Sequence, residues 1–117
     1  MKNLESYFEF KKYDVFMQSW LTDEASDHHL LIVHGLGEHS SSYAPMAKYL
    51  CDNGISCHSF DFIGHGQSSG QRGYVPSFDL FADQLAYVFN HLTTKYKTAK
   101  ISVFCHSMGG LVTLKAL

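Results

Sequence analysis

Ten residues, Ile101-Ser102-Val103-Phe104-Cys105-His106-Ser107-Met108-Gly109-Gly110, constrain this chain more than any others. They open as a short, β-branched apolar run, which reads as a buried strand. The run reverses at His106-Ser107-Met108, and the glycine pair leads into the helical pattern Leu111-Val112-Thr113-Leu114-Lys115-Ala116-Leu117. A strand, a tight turn carrying a serine and then a helix make an elbow that holds a hydroxyl clear of the chain. A serine hydroxyl is a poor nucleophile until it stands beside a base and over backbone N–H donors. Small neighbours let strand and helix cross closely enough for that. In the pattern Gly-x-Ser-x-Gly, Gly109 fills the second glycine position and Cys105, also small, stands at the first. On these residues alone Ser107 fits two roles, a presented nucleophile or the N-cap of the helix.

Composition narrows the setting. A chain of 117 residues suffices for one domain that buries about two-thirds of its unfolded surface. Apolar content of 45% and charged content of 17% are those of a globular protein. A net charge of −2 without a basic run gives nothing that suggests a nucleic-acid partner. No apolar stretch approaches the length of a transmembrane span, and Met1-Lys2-Asn3-Leu4-Glu5 lacks the apolar core of a signal peptide. Cys51, Cys57 and Cys105 show no C-x-x-C spacing, which argues for a reducing compartment. The expected location is cytoplasmic.

Residues 7–21 alternate loosely and read as a two-stranded hairpin turning near Lys11 to Asp14. Thr22 to His29 is a polar loop. Leu30-Leu31-Ile32-Val33 is a continuous apolar run, the signature of a strand covered on both faces. It ends in the glycine-rich His34-Gly35-Leu36-Gly37-Glu38-His39. Tyr43, Met46, Ala47, Leu50 and Cys51 recur at helical spacing, and Asn53-Gly54 stops that helix. Residues 55–61 make another strand, followed by a second glycine-rich loop from Ile63 to Gly73. Ser77 caps a long helix with Phe78, Phe81, Leu85, Val88, Phe89 and Leu92 on one face. Strand and helix alternate to the end, which predicts an α/β protein with a mostly parallel sheet and an antiparallel hairpin at its start. Three glycine-bearing turns thus follow three parallel strands at their carboxyl ends, where open α/β sheets place their sites.

These three turns resemble the α/β-hydrolase superfamily, and within it the monoacylglycerol lipase and lysophospholipase branch (serine aminopeptidase-like hydrolases). The likeness lies in His34-Gly35-Leu36-Gly37-Glu38-His39 with Tyr43, and in His106-Ser107-Met108-Gly109-Gly110. It lies most narrowly in Asp61-Phe62-Ile63-Gly64-His65-Gly66-Gln67-Ser68 through Gly70, Arg72-Gly73-Tyr74-Val75 and Phe78. Their order fits the family's amino-terminal half. The resemblance implies an α/β-hydrolase fold, Ser107 as nucleophile, and the backbone N–H groups of Leu36 and Met108 as oxyanion donors. It implies His34, Gly35, Gly37, His106 and Gly109 as the supporting loops; of the two histidines, His34 reads as bracing its loop rather than transferring protons, and His106, which precedes Ser107, as pointing away from it across the turn.

The substrate it implies is a small-molecule lipid ester, with no metal and no organic cofactor. Eight histidines invite a metal, but neither H-E-x-x-H nor H-x-x-E-H spacing occurs. Gly64-His65-Gly66 falls short of a dinucleotide fingerprint, since Ser69 stands at its third glycine. His65 reads as part of a structural turn, Asp61 as an acceptor for nearby N–H groups, and Arg72 as either an anion contact or a solvated side chain.

In this fold the acid and histidine follow the serine. Ten residues follow Ser107 and none is Asp, Glu or His. The expectation is therefore that residues 1–117 are the amino-terminal part of a single domain, truncated after the elbow and inactive alone. The remaining strands, a cap that can touch membranes, and the rest of the triad would lie beyond Leu117. The competing readings are a hydrolase of another ester, a thioester or a peptide, and a non-catalytic binding protein.

Overall fold

The computed structural model describes residues 1–74 and 77–117; Val75, part of the second loop's pattern, lies outside the described residues. Strands β1 (Lys2–Phe10) and β2 (Tyr13–Leu21) form the hairpin, joined at Lys11, whose φ of 54° makes the reversal. β1 begins five residues before the expected Tyr7, because every residue from Lys2 to Phe10 has a partner on β2. Then come β3 (His28–Val33), a 3-10 turn (Ser40–Tyr43), α1 (Ala44–Asp52), β4 (Ser56–Phe60), α2 (Phe78–Lys95), β5 (Lys100–Cys105) and α3 (Met108–Ala116). The sheet order is β1-β2-β4-β3-β5. β3, β4 and β5 are parallel, and β2 joins them antiparallel to β4, so the hairpin extends a parallel half-sheet.

The period-two geometry of a strand explains the layers. Leu31 and Val33 of β3 face a core built with Phe60, Phe62, Phe81, Leu85, Val88, Leu92 and Val112, beneath α2 and α3. Ile32 faces the other way and packs with Trp20, Cys57, Ala47 and Cys51 beneath α1. β3 is therefore covered on both faces, as its continuous apolar run requires. Phe62 and Phe81 stack at 4.6 Å between ring centres, fixing the start of α2 over the end of β4.

Two expectations change in the packed molecule. β5 is an edge strand whose residues alternate between exposed and half-buried, with Phe104 exposed, so the expected buried strand is instead covered on one face only. On α2, Phe78 is exposed and Phe89 only partly buried, while the polar Gln84 is fully buried among the apolar residues. Gln84 is inside because it has work there: it accepts from Ile63 N–H at 3.2 Å and donates to the Asp61 carbonyl at 3.1 Å. The helix starts where expected, with the Ser77 hydroxyl accepting from the Leu80 N–H.

Candidate active site

The turn after β5 has the geometry that a presented side chain needs. Ser107 is exposed and sits at φ 56°, ψ −121°, a conformation that costs a non-glycine residue about 1–3 kcal/mol. Although it occupies the N-cap position of α3, its side chain makes no capping hydrogen bond. That removes the capping role and leaves the hydroxyl free. Met108, the first residue of α3, carries an N–H that no carbonyl of its own helix can take, at the positive end of the helix dipole. Gly109 permits the crossing. A β-carbon there would lie 2.6 Å from the His34 carbonyl oxygen and 2.7 Å from that of Val33.

The loop after β3 closes onto this turn. A β-carbon on Gly35 would lie 3.1 Å from the His106 carbonyl oxygen and 3.2 Å from the Ser107 β-carbon. Gly35 therefore sits directly against the serine. Its N–H is already engaged by Glu38 Oε1 at 2.8 Å, whereas the N–H of the next residue, Leu36, takes no part in the loop's backbone hydrogen bonds among the described residues. Leu36 itself is 60% exposed. Gly37 turns the chain at φ 76°, open to solvent on its β-carbon side.

His34 is a brace. It is fully buried, its Nδ1–H donates to the Gly35 carbonyl at 2.7 Å, and its Nε2 accepts from Phe62 N–H at 3.0 Å. Both ring nitrogens are used, tying the ends of β3 and β4 together. Burial pushes its pKa down to about 4, so it stands neutral. His106 does turn outward, and there its Nδ1 meets Glu38 Oε1 at 3.2 Å.

The second glycine-rich loop is held from inside. The buried Asp61 carboxylate accepts from Ser40 N–H at 2.6 Å and Gln67 N–H at 2.8 Å, joining this loop to the 3-10 turn. Gly66 must be glycine, since a β-carbon would strike that carboxylate. Arg72 is tied to its own loop rather than left free in solvent. Its guanidinium donates to the carbonyls of Gly66, Ser68 and Gly70, stapling the loop. His65 is buried with its Nδ1 on the Ile63 carbonyl, as a turn residue. Among the described residues no group of three or more potential metal ligands is gathered, and no helix is long and apolar enough to cross a membrane.

Glu38 is the residue that sequence reasoning passed over. It lies within the first glycine loop, but its partners Gly35, Tyr43 and His106 come from three separate segments. The only signal was an acid between Gly37 and His39, the one Asp, Glu, Lys or Arg in residues 28–47. The Gly35 N–H chiefly holds its carboxyl below the ordinary range. Burial and then Glu38 push the Tyr43 phenol up to about 12.

At the other end of β3 and β4, away from this site, His29 Nδ1 and His58 Nε2 share a hydrogen bond of 2.8 Å, and His58 Nδ1 meets Ser19 Oγ at 2.7 Å. Burial pushes His58 down to about 3 and lowers His29. His34 and His58 thus stay neutral in the fold while the unfolded chain takes up protons below about 6.5. Their stability is present above that value and lost as pH falls towards their folded values. Between pH 7.5 and pH 5 each is expected to withdraw about 2 kcal/mol. Urea unfolding midpoints at the two pH values, with His58→Asn giving the shallower dependence, check this.

A family described as Serine aminopeptidase, S33 matches residues 24–117. The rat monoglyceride lipase is 29% identical over 102 residues, covering 87% of this chain and 34% of that protein. The Arabidopsis thaliana caffeoylshikimate esterase is 31% identical over 118 residues, covering 97% of this chain and 36% of that one. A soluble variant of the Saccharomyces cerevisiae monoglyceride lipase, solved with a substrate analogue, superposes with a TM-score of 0.83 at 24% identity, over 98% of this chain and 38% of that one. The chain spans about a third of the length of these two curated relatives.

Proposed function

Because the chain belongs to the serine aminopeptidase S33 family, on the monoacylglycerol lipase-like branch of the α/β-hydrolases, we propose that Ser107 is the nucleophile of a lipid-ester hydrolase. The observation that carries this is the strained, exposed Ser107 turn with Gly35 pressed against its β-carbon. In the proposed reaction Ser107 Oγ gives its proton to a base outside this chain as it attacks the ester carbonyl, and that proton passes on to the departing alcohol. The tetrahedral oxyanion is received by the Leu36 and Met108 N–H groups, the alcohol leaves, and water releases the acid from the acyl-enzyme. An oxyanion donor of this kind contributes about 3–4 kcal/mol to the transition state. His34, Gly35, Gly37, His106 and Gly109 support the two loops. The substrate is a monoacylglycerol or lysophospholipid, and the setting is cytoplasmic, with peripheral membrane contact through a cap.

The base and acid of the triad belong to residues outside this chain, which forms the amino-terminal part of one domain. Supporting this, β5 is an edge strand, and α3 leaves Leu111 and Leu114 exposed, the latter at 82%. Serine chemistry without a histidine base falls by about a million-fold, so residues 1–117 alone are expected to show no Ser107-dependent ester turnover. An assay of the purified chain against its Ser107→Ala variant checks this, and serine-dependent turnover contradicts it.

A second reading, an esterase for a different acyl or alcohol group, draws support from the similarity to the Arabidopsis esterase. A panel of monoacylglycerols of graded chain length and small aryl esters, offered to the protein isolated from its native source, separates the two. The lipid reading expects rates to rise with acyl length; preference for the aryl esters overturns it.

A further inference from the structure

We propose that Glu38 is a positioning residue, holding the oxyanion-donating loop against the nucleophile turn through a single carboxylate oxygen. The proposal rests on Ser107 acting as a nucleophile. Three donors converge on Oε1: the Gly35 N–H at 2.8 Å, the Tyr43 hydroxyl at 2.8 Å and His106 Nδ1 at 3.2 Å. They belong to the loop after β3, the end of the 3-10 turn and the residue preceding Ser107. The bond to His106 spans 68 positions of sequence, and it links the two loops from which the oxyanion donors come.

The shared oxygen does two things. It consumes the Gly35 N–H, so the next amide along, that of Leu36, becomes the loop's free donor. It also fixes the distance between loop and elbow. A β-carbon on Gly35 would lie 3.0 Å from Oε1, 3.1 Å from the His106 carbonyl and 3.2 Å from the Ser107 β-carbon, so the three segments meet with no slack. Hydrogen bonds to an ionised acceptor are roughly twice as strong as neutral ones. The carboxyl is held below its ordinary range chiefly by the Gly35 N–H, so it is ionised at neutral pH. Glu38 N–H also donates to the Gly35 carbonyl at 3.2 Å, closing a turn. A residue that served only that turn would affect stability and not chemistry.

The two roles separate by kinetics. The protein is expressed in full in its native host as wild type, Glu38→Gln and Glu38→Ala, and each is treated with a fluorophosphonate. The binding constant and the maximal rate of Ser107 modification are measured separately, alongside thermal unfolding. Glutamine keeps an acceptor oxygen in place and loses the charge; alanine loses both. The expected maximal rates fall about 10-fold for Glu38→Gln and about 100-fold for Glu38→Ala, with the binding constant unchanged within about 2-fold, by comparison with the loss of an oxyanion donor. Labelled wild type with a Glu38→Gln rate equal to it overturns the proposal, as does a loss confined to binding or to thermal stability. An unlabelled wild type removes the hydrolase reading itself, and this proposal with it. Should Glu38→Ala not fold, Glu38→Gln decides.

Discussion

Replacing Ser107 with alanine is expected to lower ester turnover by the intact protein about a million-fold while leaving its stability within about 0.5 kcal/mol. The two halves of this expectation come from one conformation. At φ 56° alanine is as strained as serine, so the substitution does not relieve the backbone. The side chain is exposed and makes no capping hydrogen bond, so nothing in the packing depends on the hydroxyl. What disappears is the one atom proposed to form the acyl bond. Turnover of a monoacylglycerol measured beside a thermal melt of both proteins checks the pair. A large fall in melting temperature would mean that Ser107 serves the fold.

Gly109→Ala is expected to destabilise the chain by about 3 kcal/mol, the upper range for an overpacked site, while Gly110→Ala stabilises it by up to about 1 kcal/mol. The two glycines are adjacent in sequence, yet their surroundings are opposite. A β-carbon on Gly109 would meet two main-chain oxygens at 2.6 and 2.7 Å and Val33 Cγ1 at 3.1 Å. Those oxygens belong to Val33, which ends β3 paired with Cys105 of β5, and to His34 just after it, which is held by both ring nitrogens. The strand cannot yield, so α3 must move, carrying the Met108 amide with it. On Gly110 the nearest atom is Cys105 Sγ at 3.8 Å, an ordinary contact, and alanine simply improves the helix. Urea unfolding midpoints of the two variants are expected to shift in opposite directions. A shift of the same sign in both would contradict the close crossing of α3 over β3.

Much of this architecture was legible in the sequence because it rests on local rules. The unbroken Leu30–Val33 run announced a doubly covered strand, Ser77 before an amphipathic stretch announced a helix start, and glycines after each parallel strand announced the loops. His34 as a brace and Asp61 as an acceptor for nearby N–H groups were readable as well. What sequence could not carry were contacts between distant segments. Glu38 gains its role from His106 across 68 positions, Arg72 from carbonyls that only the folded loop brings around its guanidinium, and Gln84 from the end of β4. The edge position of β5 belongs to the same class, since strand order is a property of the whole sheet.

The central claim is that the loop after β3 and the start of α3 aim two main-chain amides at an atom bonded to Ser107. A crystal structure of the intact protein carrying a phosphonate adduct tests it most directly. The account predicts the adduct on Ser107 Oγ, with its phosphoryl oxygen about 2.7–3.1 Å from the amide nitrogens of both Leu36 and Met108. An adduct on another residue, or a phosphoryl oxygen turned away from those two amides, would contradict it.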